Sequence, residues 1–232
     1  GAPQPVPAKI EVWRNLGATA EALEVGKSAG SFNDRRIRAT WPDQIESAGT
    51  LQEGYHLNAA LAGLASGVLP QQGLTHVQVA GFSSTQRTND KFNKPQLDSM
   101  ALAGVWIVQQ ALDGEIFTRH AVTTGDYENI NDREEMITRN VDSISYRFKD
   151  YFEPFIGVTN VTPTMEEVIR GGLEKLIGAL ETERTTISLG GQLIGATIDR
   201  FFISALFKDR YVAYITLDVP YALNNIELHL IV

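Results

Sequence analysis

Ile137, Val141, Ile144, Phe148, Phe152 and Phe155 recur at steps of four and three, which sets large apolar side chains along one side of a helix. Such a stripe has to be buried against another element. Asp132 is placed to cap the first turn, Glu134 and Glu135 suit the positive end of the helix dipole, and Pro154 forces a stop or kink. The pattern predicts a long helix from 131 or 132 to about 155. A second helix is expected after Gly157, opened by Thr162-Pro163-Thr164 with Glu166 and Glu167 and carrying Met165, Val168, Ile169, Leu173, Leu176, Ile177 and Leu180, with Gly171-Gly172 weakening its middle.

Strand signals flank these helices. Ile10–Trp13 reads as a short strand, with helical character around 20–25. Arg36–Trp41 alternates basic and apolar residues up to Pro42, as a strand with one exposed face does. Thr75–Phe82 reads as a buried strand and Ser83–Lys94 as an exposed loop. Pro95 opens a short helix to about Ala103. Residues 104–110 and 116–123 are β-type runs joined by Ala111-Leu112-Asp113-Gly114, a hairpin signal. Residues 194–206 and 210–219 are rich in β-branched and aromatic residues, and Pro220 ends the second. The expected class is α/β (α+β): a mixed sheet with flanking helices.

Residues 55–69 form a helix of unusual composition. Ala60, Gly63 and Gly67 lie three and four apart, so one face is nearly free of side chains. Close packing of that face on a sheet within the domain is expected, with a subunit contact as the alternative.

Composition narrows the chemistry. The net charge is −8, with 20 Lys+Arg against 28 Asp+Glu, and binding nucleic acid needs the opposite balance. There is no cysteine, which removes disulfides, thiolate nucleophiles and Cys-based zinc sites. No apolar run reaches the roughly 18 residues of a membrane helix. The opening Gly1-Ala2-Pro3-Gln4-Pro5 lacks an initiator Met, as a processed end, a cloning scar or a fragment boundary would, and a fragment boundary is the expectation. Gly26-Lys27-Ser28 resembles the end of a phosphate loop, but Glu21 stands where that loop needs Gly. Gly81–Thr85 lacks the second Gly of a nucleophile elbow. His56, His76, His120 and His229 show no paired ligand spacing. No catalytic residue, cofactor site or metal site is assigned. The competing reading is an enzyme whose site gathers His76, His120 and distant acids.

The end of the chain makes a separate demand. Ile226, Leu228, Leu230 and Val232 fall on one face of a terminal strand, preceded by a linker containing Pro220, Asn224 and Asn225. An apolar strand at a free end needs cover, from its own domain or from another chain by strand addition. From Pro220 onward the extended chain reaches roughly 40 Å at about 3.3 Å per residue. Burying the four aliphatic side chains yields roughly 6–12 kcal/mol. Fixing seven backbones costs about 7–14 kcal/mol before ladder hydrogen bonds. One arm is near break-even, and many in a lattice hold firmly.

Taken together, these segments resemble a known family. Gly54-Tyr55-His56-Leu57-Asn58-Ala59-Ala60-Leu61-Ala62-Gly63-Leu64-Ala65, followed by a Pro/Gly loop and Val79-Ala80-Gly81, resembles the middle of contractile phage tail sheath subunits. The stretch 131–183 and the ending Leu217-Asp218-Val219-Pro220-Tyr221-Ala222-Leu223-Asn224-Asn225-Ile226-Glu227-Leu228 are similar to the sheath C-terminal domain and its closing strand. The resemblance spans about 30–232. It implies part of a central domain at 1–93, a C-terminal domain at 94–219 and an arm for strand addition at 220–232. It further implies a non-enzymatic subunit that stacks in rings around a tail tube protein and contracts to drive the tube through an envelope. Such a subunit needs no cofactor, nucleic acid or membrane embedding, assembles in the host cytoplasm and resides in the virion tail. A baseplate or scaffold module using similar strand addition is the remaining alternative, and an isolated fragment is expected to be able to stay monomeric.

Overall fold

The computed structural model describes residues 12–15 (backbone), 22–85, 92–182 and 190–224, and the chain divides into two compact units. The first comprises 1–69, 73–138 and 223–232, and the second 70–72 and 139–222. Residues 94–138 belong to the first unit together with the earlier residues. The reason is strand pairing: β2 (Ile37–Trp41) is bonded in parallel to β5 (Val105–Gln110).

In the first unit a four-stranded mixed sheet has the order β1-β2-β5-β6, with β1 at Val12–Asn15 and β6 at Ile116–His120. β1, β2 and β5 run parallel, while β5 and β6 form the antiparallel hairpin expected from Asp113-Gly114, with Gly114 at φ 94°. α1 (Ala22–Gly30) and α3 (Lys94–Leu102) cover one face, packing Val25, Ala29, Leu97 and Met100 on Ala39, Trp41, Val105 and Ile107. Asn93 caps α3 in a reciprocal box with Gln96. α2 (Gly54–Gly67) covers the other face, setting Leu57, Leu61 and Ala65 against Trp106, Val108 and Ile116. Both faces of the central strands are thus buried, as parallel strands require.

That arrangement corrects several expectations. β2 has no exposed face: Arg38, Ala39, Thr40 and Trp41 are all fully buried. Thr40 donates to Asn58 of α2, and Arg38 pairs with Glu135. Of the small-residue face of α2, Ala60 is partly buried against the core, but Gly63 and Gly67 do not pack inside the domain and have open space where a Cβ would stand. The inward face carries Leu57 and Leu61, which bury far more apolar area. Residues 75–82 form no regular strand. His76 N, Thr118 N and Val79 N bond Thr118 O, Val77 O and Ile116 O along the outer edge of β6, but His76 takes φ 58° and breaks the pleat. A hairpin absent from the sequence reading, β3 (Gln44–Ser47) with β4 (Thr50–Glu53), turns on Ala48 and Gly49, at φ 49° and 76°.

The long helix begins in two pieces. α4 (Ile130–Arg133) is capped by Asn129, not Asp132, and α5 runs Glu135–Phe152 before a 3-10 turn over Glu153–Phe155. Between them Glu134 is extended (ψ 122°) and bridges Val122. The unit boundary falls inside α5, after Thr138.

The second unit contains the remainder of α5, α6 (Pro163–Thr182) and the hairpin β7 (Gly195–Ile203) with β8 (Tyr211–Asp218). α6 buries Gly172, Leu173, Ile177 and Leu180. Asn140 Nδ2 donates to Gln192 O at 2.7 Å, and Gln192 Nε2 returns to Asn140 Oδ1 at 3.2 Å, which ties α5 to the segment leading into β7. Among the described residues no helix is long and apolar enough to cross a membrane.

Candidate assembly surface

β7 and β8 pair antiparallel from Gly195↔Asp218 to Ile203↔Tyr211 and bond to no other strand among the described residues. Neither strand contains a fully buried residue. One side meets α6, where Tyr211 Oη donates to Thr162 O at 2.9 Å and the Arg170 guanidinium lies 5.5 Å from the Phe201 ring centre. Phe201 in turn stacks on Tyr211 at 5.5 Å. Phe202 stacks on Tyr214 at 6.2 Å, and both are substantially exposed (40% and 54%). Such a ribbon offers rows of main-chain donors and acceptors along two edges. Its one irregularity is a register shift between Ile198 and Arg200, where Asp199 Oδ2 accepts from Thr216 Oγ1 at 2.6 Å. A two-stranded ribbon is marginal by itself and gains from added strands. The sequence placed both strands but not their open edges, since pairing partners are not encoded in local pattern.

Of the linker residues, Pro220 lies two positions after the end of β8 and is half-buried, following the buried Val219. Asn224 is not a free spacer. Its Oδ1 accepts from Thr75 Oγ1 at 2.7 Å, and its Nδ2 donates to Glu134 Oε2 at 3.1 Å. Asn225, Ile226, Leu228, Leu230 and Val232 lie outside the described residues.

Glu134 is the centre of this cluster. Its carboxylate meets His120 Nε2 at 3.0 and 3.2 Å and accepts from Arg133 Nε at 3.2 Å. Burial pushes the carboxyl up, but the hydrogen bond and charge of His120, the Asn224 amide and the Arg133 charge outweigh it, and the net position is below its ordinary value. His120 was a candidate only under the enzyme reading, and the structure joins it to Glu134 rather than to His76. His76 packs against Phe117 with tilted rings 4.3 Å apart, and His56 does the same against Tyr55 at 4.3 Å. His229 is outside the described residues. Among the described residues no group of three or more His, Asp or Glu is placed to hold a metal. An open polar depression lined by Asn33, Asp34, Arg35, Gly125, Asp126 and Asp132 contains none of the histidines.

Neither a protein-family model nor a curated protein matches this sequence. Solved structures do match the fold. A chain of the six-fold symmetrised anti-feeding prophage baseplate superposes with a TM-score of 0.72 at 12% identity, over 94% of this chain and 59% of that one. The sheath complex of an extracellular contractile injection system, in the contracted state, gives 0.71 at 11% identity, over 98% and 65%. A sheath tail protein from Desulfitobacterium hafniense gives 0.60 at 12% identity, over 91% and 49%. The chain spans between about half and two-thirds of the length of these structures. In architecture this is the fold of contractile tail sheath proteins.

Proposed function

We propose that this chain is the strand-sharing part of a contractile sheath subunit, whose copies stack in rings around a tail tube and drive the tube forward on contraction. The observation that carries the reading is the β7–β8 ribbon, which pairs with no other strand among the described residues. An open ribbon and an apolar terminal strand (Ile226, Leu228, Leu230, Val232) are the two halves of a strand-addition joint. Pro220, two residues past β8, bars the strand from continuing and frees the chain to run elsewhere. The likeness to sheath chains supports the same role. On this reading the work is mechanical, without catalysis or cofactor. The partners are further copies and a tube protein, and the location is the tail of a phage or of a phage-like injection particle.

The absence of cysteine makes a direct test available. Chains carrying Leu228→Cys are mixed with chains carrying Thr197→Cys under assembly conditions and then oxidised. A disulfide-linked heterodimer is expected. A chain carrying both substitutions that closes only on itself, with no heterodimer in the mixture, sinks the strand-sharing reading. The likeness to a baseplate chain favours a second reading, a baseplate module using the same joint. Electron microscopy of the native particle separates them, because only a sheath builds a many-ringed sleeve.

A further inference from the structure

The chain leaves the first unit after Thr138 and re-enters it at Leu223, and Asn224 is the next residue. Its amide is used at both ends. Thr75 Oγ1 donates to Oδ1, and Nδ2 donates to a carboxylate whose side chain is only 5% exposed. That carboxylate is itself built in. Glu134 sits on the single extended residue between α4 and α5, and it bridges Val122. Arg133, which also grips it, packs its guanidinium 4.6 Å from the Tyr127 ring centre. His120 Nε2 faces both carboxylate oxygens, so that nitrogen carries the proton and donates. Asn224 Nδ2, 3.2 Å from the same nitrogen, therefore bonds the carboxylate and only touches the imidazole. Three donors thus converge on Glu134, and one of them belongs to the returning chain.

We propose that Glu134 and Thr75 form a clip that holds Asn224 and fixes the point from which the terminal segment continues. The proposal rests on the strand-sharing reading for its purpose: a donated strand transmits load only if its root is anchored. Without the clip, strain on the terminal strand peels the chain back toward Pro220. With it, the load enters the first unit at the end of β6 and the start of α5. Charge assistance makes the Glu134 contact the stronger of the two, and the hydroxyl–amide bond sets the direction of the side chain.

The test is cleavage by chymotrypsin in the intact chain, followed by intact mass. Tyr221 and Leu223 are exposed at 52% and 77%, so cleavage there reports local release of the segment. Asn224→Ala is expected to speed cleavage at these two sites on the order of ten- to a hundredfold, as loss of a charge-assisted hydrogen bond implies. Thr75→Val should speed it less, and neither variant should change the thermal midpoint measurably. Equal cleavage rates in wild type and both variants overturn the clip. The outcome is separable from the strand-sharing test: deletion of 226–232 removes the donated strand but leaves Asn224 in place. Assembly lost on that deletion, with cleavage unchanged in Asn224→Ala, keeps the strand joint and removes the clip. Cleavage accelerated in Asn224→Ala, with assembly intact after the deletion, does the reverse.

Discussion

Arg38 of β2 and Glu135 at the start of α5 meet at 3.4 Å with both side chains fully buried. A pair withdrawn from water this completely is held by geometry more than by net attraction, since desolvation offsets most of the Coulomb gain. Glu135→Ala leaves the guanidinium charge in the core and is expected to cost about 3–5 kcal/mol. Replacing both, as Arg38→Met with Glu135→Leu, is expected to recover most of that loss. Urea denaturation of the single and double variants measures the difference. A double variant as unstable as the single one contradicts the assignment of the cost to a stranded charge.

Two adjacent glycines of α6 should respond differently to alanine. A Cβ at Gly171 meets open space, whereas one at Gly172 falls 2.8 Å from Tyr151 Cε1. Gly171→Ala is expected to stabilise by about 0.5–1 kcal/mol through helix propensity. Gly172→Ala should fall below it by about 1 kcal/mol or more, because the ring must move. Introducing Gly172→Ala into a Tyr151→Ala background should restore the gain. Chemical denaturation is the readout.

The Glu134 cluster predicts a direction for acid sensitivity. The carboxyl is held below its ordinary value of 4.5 in the folded chain. A depressed folded value means that the unfolded chain binds the proton first as pH falls. The contribution is therefore complete above the ordinary value and disappears as pH drops through the folded one. Stability measured by urea between neutral pH and about pH 3 should fall in that window. Glu134→Gln should be less stable at neutral pH and show a shallower acid limb. Parallel acid limbs for the two proteins count against Glu134 as a contributor.

The aromatic face of the β7–β8 ribbon should matter for assembly more than for folding. Phe202 is 40% exposed and stacks on Tyr214. Phe202→Lys is expected to change stability by only about 1 kcal/mol or less, as partly exposed positions do. Under the strand-sharing reading it should prevent assembly, because a cation would be buried where a neighbouring strand lays its apolar side. Sedimentation of the variant beside wild type decides it, and normal assembly counts against this face as a contact.

Elements with strong local signals were legible in the sequence. The Asp113-Gly114 hairpin, the proline-opened helices at 94–102 and 163–182 and the strands at 195–203 and 211–218 all lie where periodicity and turn chemistry place them. Two of the misses share a cause: each was decided by a distant residue. Arg38 looks like the exposed side of an alternating strand until Glu135, 97 residues away, is brought to it. Glu134 reads as one more first-turn acid until its backbone bridges Val122 and the helix starts one residue later. Ala48-Gly49 supports a tight hairpin although it lacks the usual Asn or Asp.

The terminal region shows the same division. Alternation of Ile226, Leu228, Leu230 and Val232 behind Pro220 is a property of the sequence alone, and it carries the expectation that this segment needs cover, because exposed apolar strand edges are unstable in water. The class of fold followed likewise from the order of periodicities. Only the tertiary structure decided that β7 and β8 form a ribbon paired with no other strand among the described residues, and that Asn224 is bonded to Thr75 and Glu134 rather than free. Periodicity records which face of a segment is apolar. Which backbone edge stays unpaired, and which side chains from 75, 134 and 224 meet, depends on contacts across the whole chain.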